Sequence, residues 1–268
     1  MSYMFLMFFL GCSDEADSKQ DTAIGAEPAN EPSSYPTYDT GEPVEPVPFS
    51  GQVLLADGSV PDSGSVRVQM CSEYCFPTQI DEEGFFSFTN LSPALYSLDV
   101  VPIGDLENSH ATAMDFIELS TEEGAKSLQA PLLIYSYAQK TELSECQGAD
   151  GCSDLQLEGL SVSIDPAAFD PDEDDLYVAG VKVDLNSAGL PLDGVSGTPL
   201  SLWYLGKFDV EAQLSLKLSG LNAGDNLQIY NGDYSTHSWV LIAEGTVSEL
   251  GELDGTLSFL SPVLLVQP

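Results

Sequence analysis

From Phe49 onward the chain alternates apolar and polar residues with a period of two. Ser65-Val66-Arg67-Val68-Gln69-Met70 alternates cleanly, and so do Leu160–Ile164, Gly180–Leu185 and Leu214–Leu218. That period turns successive side chains to opposite faces and predicts half-buried strands. Asp57-Gly58 and Asp81-Glu82-Glu83-Gly84 interrupt it as turns. No window sustains a 3.6-residue period beyond one or two turns. Short strands at a spacing of roughly 8–15 residues, separated by Gly, Asp, Asn and Pro, predict an all-β protein built from sandwiches.

The patterning divides the chain. Residues 1–11 are an apolar start. Residues 12–47 are rich in Glu, Asp, Pro, Ser and Thr and almost without large aliphatics. Such a segment buries too little apolar surface to offset its ordering entropy, so a disordered acidic tether is expected. Prolines 28, 32, 36, 43, 46 and 48 and the like charges extend it. Strand patterns then fill 48–140 and 155–268, the two expected sandwich domains. Residues 141–154, polar and carrying two cysteines, read as the linker between them.

Tyr3-Met4-Phe5-Leu6-Met7-Phe8-Phe9-Leu10-Gly11-Cys12 is an apolar run that ends in a small residue and a cysteine. It resembles the lipobox of bacterial lipoproteins. The resemblance implies removal of residues 1–11 as a signal segment and diacylation of Cys12. It also implies a cell-envelope location, and Ser13 directly after Cys12 would permit sorting to the outer membrane, at its periplasmic or surface face. The run is shorter than the ~20 residues needed to span a bilayer. Stable anchoring takes two or more acyl chains, which such processing supplies.

The first strand region also carries a resemblance. Gly51, Val53, Asp57, Gly58, Val66, Val68, Asp81, Gly84, Phe86, Phe88, Asn90, Leu91, Pro93 and Tyr96 fill the pattern of carboxypeptidase regulatory-like domains. These are small transthyretin-like β-sandwiches, mostly accessory modules without catalytic residues. Ala94 stands where that family usually has Gly. The second region, through Trp203-Tyr204-Leu205-Gly206, Tyr230, Trp239 and Leu264-Leu265-Val266, resembles the C-terminal β-domain of myxobacterial-type lipoproteins. That group brings no defined activity with it.

Charge narrows the partners. The 268 residues carry a net charge of -36 with only seven basic side chains. Nucleic-acid binding by phosphate neutralisation needs clustered Lys or Arg and is excluded. Anionic lipid would repel the chain, so attachment to a membrane has to be covalent. Beyond Cys12 there are Cys71, Cys75, Cys146 and Cys152. An even count in an exported chain predicts disulfides, with three possible connectivities. The local pairs 71–75 and 146–152 are preferred because they require no long-range coincidence. Zinc is the rival reading, with no His near either pair.

Candidate chemistry is sparse. His110 and His237 are the only histidines, and neither falls in a recognisable catalytic motif. No enzyme is expected, and no cofactor. Asp170, Asp172 and Asp174 alternate as calcium ligands do, but Asp175 and Val181 stand where a calcium hand needs Gly and Glu. Calcium is therefore a secondary reading beside a solvated acidic turn. Tyr234 and Trp239 flank a loop and are the candidate residues for stacking on a sugar. The function expected is a non-catalytic envelope module that binds carbohydrate or another envelope polymer, or provides structural support. Docking of an envelope protein partner is the alternative, and a hydrolase with dispersed catalytic groups the second alternative.

Overall fold

The computed structural model describes residues 45–122, 124–146, 152–170, 176–187 and 189–268. All regular elements longer than one 3-10 turn are strands: β1 Val47–Leu55, β2 Val66–Cys71, β3 Cys75–Thr78, β4 Phe85–Leu91, β5 Leu95–Pro102 and β6 Ala113–Glu118. Next come β7 Lys126–Ser127, β8 Leu132–Ile134, β9 Gln139–Glu142, β10 Leu155–Leu157, β11 Leu160–Val162 and β12 Tyr177–Val183. The last six are β13 Thr198–Gly206, β14 Val210–Leu218, β15 Asn226–Asp233, β16 Ser238–Thr246, β17 Leu253–Leu260 and β18 Val263–Gln267. The protein is all-β, as the two-residue period predicts.

Four sheets result. β1 lies between β4 and the short parallel strands β7 and β8, and a second sheet runs β3-β2-β5-β6. A third runs β10-β11-β14-β17, and a six-stranded sheet runs β16-β15-β18-β13-β12-β9. In β14 burial alternates strictly along Val210–Leu218, which is the signature of a strand with one wet face.

The six-stranded sheet is different because its central strands are dry on both faces. Leu202 and Tyr204 of β13 enter one apolar core while Trp203 and Leu205 enter the other. Leu264 and Val266 of β18 likewise join the first core, and Val263 and Leu265 the second. Unbroken apolar runs such as Leu202–Leu205 and Val263–Val266 are what a sheet buried on both sides requires. The first core also holds Phe49, Phe86, Tyr96 and Phe116, so it is built from both strand regions. Gln139–Glu142, at the edge of the segment expected as a linker, pairs as β9 with β12.

Two turns show how local sequence sets the chain path. Asp81 Oδ1 accepts from the N–H groups of Glu83 (3.0 Å) and Phe85 (2.8 Å), closing the turn into β4. Gly84 follows at φ +84°, where a Cβ would sit 2.5 Å from the Val53 carbonyl oxygen. Tyr96 Oη donates to Ser92 O at 2.9 Å and hooks the Asn90–Tyr96 turn onto itself. Ala94 is not among the residues at positive φ, so this turn accommodates a side chain where the similar family uses Gly.

Candidate functional site

The outer face of β1 and β4 carries an open groove of about 550 Å3. Inward alternation spends Phe49, Val53, Phe86 and Phe88 on the core, so Ser50, Gln52, Phe85 and Ser87 point outward. Ser127 and Gln129, from and just beyond β7, form the opposite wall. Phe85 is 52% exposed, a large apolar ring standing among hydroxyls and amides. Gln52 Nε2 donates to Glu83 O at 2.8 Å, which fixes the amide at the groove. A ring beside converging amides and hydroxyls offers stacking and hydrogen bonding together.

Phe85 was legible in principle. In Phe85-Phe86-Ser87-Phe88 a period of two sends 86 and 88 to one side and 85 to the other. Periodicity fixes only the relative faces; burial decides which one is wet.

The residues picked from sequence fall elsewhere. Trp239 is buried, its ring edge-to-face with Phe116 at 5.5 Å and its Nε1–H donated to Asp115 at 3.3 Å. Its ring is therefore part of the core and not presented to a ligand. Tyr234 is half-buried, edge-on to Phe208 and His237. Its Oη lies 3.0 Å from Cys75 Sγ. His237 Nε2 contacts Ser72 O at 2.9 Å, so the β15–β16 loop rests on the β2–β3 hairpin. That hairpin is closed by the Cys71–Cys75 disulfide, and Cys146 is joined to Cys152. His110 sits between the hydroxyls of Ser109 (2.9 Å) and Ser136 (3.0 Å). Cys12, Asp172 and Asp174 lie outside the described residues. Asp170 is exposed, and no cluster of three metal-ligating side chains occurs among the described residues.

Two buried carboxyls escaped the sequence reading. Asp115 is fully buried on the outer strand β6. Its Oδ1 accepts from Phe116 N (2.8 Å) and Trp239 Nε1, and its Oδ2 from Leu192 N (3.0 Å). Burial pushes it up to about 7 against these hydrogen bonds. Asp99, at the centre of β5, is equally buried, and its Oδ2 accepts from Gln69 Nε2 (3.3 Å) and Ser97 Oγ (3.2 Å). Burial raises it too to about 7, with the charge of Asp209 adding and Arg67 opposing. The available signal was a lone carboxylate inside an apolar strand, Leu98-Asp99-Val100 and Met114-Asp115-Phe116. The only described non-glycine residues at positive φ are Leu192, Asp209 and His237. One bonds Asp115, one faces Asp99 electrostatically, and one packs on Tyr234.

No family model and no curated protein matches the chain. Among solved structures it is similar to a DUF3823 family protein from Bacteroides ovatus. That match has 12% identity over 80% of this chain and 81% of the other, at a TM-score of 0.24. The TIE protein of Bacillus anthracis aligns at 10% identity over 80% of this chain and 44% of its own, at a TM-score of 0.28. Carbohydrate-binding modules from the β-sandwich superfamily align at 12% identity over 84% and 93%, with a TM-score of 0.15. Superpositions this loose carry no functional argument; the fold rests on the chain's own strands, and the site on its own residues.

Proposed function

We propose that this protein is a non-catalytic binding module of the bacterial cell envelope, anchored through lipid on Cys12, whose β1–β4 groove takes a carbohydrate. The observation that carries the reading is the exposed Phe85 ring set among the outward side chains of Ser50, Gln52, Ser87, Ser127 and Gln129. The C–H face of a pyranose packs on such a ring while its hydroxyls bond amides and hydroxyls. A groove of this size holds one or two sugar units.

A glycan array tests it. The protein is expected to retain a restricted set of neutral saccharides, and Phe85→Ala to lose them with its thermal unfolding unchanged. Retention of the same glycans by Phe85→Ala, or no retained glycan at all, would overturn the reading. The anchor is tested separately by detergent-phase partitioning. Cys12→Ala is expected to move the protein into the aqueous phase, and identical partitioning of both forms would remove the anchor from the proposal.

A further inference from the structure

The β1–β4 groove carries a charged element beside the Phe85 ring. Asp81 lines the same groove, in the turn that enters β4. Across that turn Asp81 and Phe85 are bonded twice. Asp81 N–H donates to Phe85 O at 2.9 Å, and Phe85 N–H donates to Asp81 Oδ1 at 2.8 Å. Glu83 N–H is the second donor to Oδ1, at 3.0 Å. One carboxylate oxygen is therefore spent on closing the turn. The other, Oδ2, accepts no hydrogen bond from the described residues. Asp81 and Phe85 are both exposed, so carboxylate and ring meet solvent together.

The rest of the lining sets what this oxygen can meet. Ser50, Gln52, Ser87, Ser127 and Gln129 are neutral, and no Lys or Arg is among the lining residues. Lys126 precedes Ser127 in the chain, but its Nζ is engaged by Asp193 Oδ2 at 3.0 Å and by Glu118 O at 3.1 Å. Glu82 and Glu83, both exposed, follow Asp81 in the turn. A ligand entering here meets negative charge with no cation in the groove to balance it. A carboxylate beside an aromatic ring is a pairing suited to an ammonium. Charge-assisted N–H bonds go to the carboxylate, and the ring face attracts the cation. A calcium ion would need roughly six or more oxygens. No cluster of three metal-ligating side chains occurs among the described residues.

We propose that this groove prefers an amino sugar, with Asp81 Oδ2 accepting from its primary ammonium. The inference rests on the carbohydrate reading of the groove and makes Asp81 the residue that sets preference within it. A neutral sugar remains a ligand, because stacking on Phe85 and the hydroxyl and amide contacts need no charge. Acetylating the amine removes the charge and with it the preference. An acidic sugar is disfavoured by the same carboxylate.

The test is calorimetric titration of the intact protein with paired methyl glycosides: glucosamine against glucose, galactosamine against galactose, and mannosamine against mannose. Ionic strength is held constant with sodium chloride, which screens the general attraction of cations to an acidic protein. At least one amino sugar is expected to bind about threefold or more tighter than its neutral partner, as an exposed charge pair beside a ring supplies. Asp81→Asn keeps an oxygen to accept from the Glu83 and Phe85 N–H groups but removes the charge. It is expected to bring the two members of that pair to equal affinity. Asp254→Asn, on β17 in another sheet, removes one charge elsewhere and is expected to leave the preference intact. Amino and neutral sugars that bind wild type equally would overturn the inference and leave the carbohydrate reading standing. So would a preference that survives Asp81→Asn, or one that Asp254→Asn lowers as much. The N-acetylated glycosides, titrated with wild type, keep the inference falsifiable if Asp81→Asn fails to fold. They are expected to bind no tighter than the neutral sugars, and affinity equal to that of the free amine would overturn it. Binding of no sugar at all would overturn both readings.

Discussion

Replacing Asp115 with Asn isolates the cost of one buried carboxylate. In the unfolded chain this group titrates near 3.8, and in the native protein near 7, because burial outweighs its three hydrogen bonds. Between those values the native state holds a proton that the unfolded state has lost. Stability from this group is therefore full below 3.8 and is lost as pH rises through 7. At about 1.4 kcal/mol per pH decade, the interval from 3.8 to about 7 sets an upper bound of roughly 4 kcal/mol. The carboxamide does not titrate, but its NH2 must face a donor, either Leu192 N–H or the Phe116 and Trp239 pair. That mismatch costs about 1–3 kcal/mol at every pH. Wild type is thus expected to be the more stable form near pH 4.5, with the gap closing or reversing by about pH 8. Urea unfolding followed by tryptophan fluorescence and far-ultraviolet dichroism measures this at four pH values. Asp99 is present in both proteins, so its own titration cancels from the difference. A wild-type-minus-variant gap that stays constant to within about 0.5 kcal/mol over this range would refute the argument. Asp115→Ala has a different signature: it orphans two buried donors at roughly 1–3 kcal/mol each and the part-buried Leu192 N–H besides, enough to threaten a total stability of about 5–15 kcal/mol.

Other outcomes follow from single contacts. Gly84→Ala is expected to cost clearly more than Gly58→Ala, as seen by thermal unfolding. Both sit at positive φ, but only at Gly84 would the Cβ meet a backbone oxygen, so about 1–2 kcal/mol at Gly58 is the floor. Equal costs would contradict this reading of the turn. Cys71→Ser with Cys75→Ser is expected to lower stability by roughly 2 kcal/mol or less, since the closed loop is short. Hydrogen exchange should rise not only in the hairpin but also at Asp233–Ser238, which rests on Ser72 and Cys75. Protection unchanged at that loop would show the contacts to be incidental. Calcium is expected to raise Tm no more than ionic-strength-matched sodium chloride, and Asp172→Asn with Asp174→Asn to be no less stable than wild type. A calcium-specific rise that the double variant abolishes would establish a metal loop instead.

Much of the strand architecture was legible because burying one face of a strand imposes a period of two on the residues themselves. Ser65–Met70 and Leu214–Leu218 show it, and Asp81 and Gly84 announce their turn by the side-chain acceptor and the left-handed backbone it needs. The local cysteine pairing at 71 and 75 was legible for the same reason, since a four-residue separation demands little of the rest of the chain. Periodicity carries no information on which sheet stacks on which. Leu202–Leu205 reads as a strand either way, but only the stacking of layers on both sides of β13 explains why all four side chains are apolar. The same holds for the polar sites. Tyr234 and Trp239 flank one loop, yet packing buries Trp239 against Phe116 while Phe85, an unremarked strand residue, is left facing water. Asp99 and Asp115 look from sequence like two more charges in a -36 chain. The dry setting of Asp115 depends on Trp239 and Leu192, 124 and 77 residues away along the chain. Sequence alone determined the strands, the turns and the sign of the charge, because those are set by neighbours along the chain. Tertiary structure decided which ring is wet and which carboxylate is dry, because desolvation depends on what the fold brings from far away.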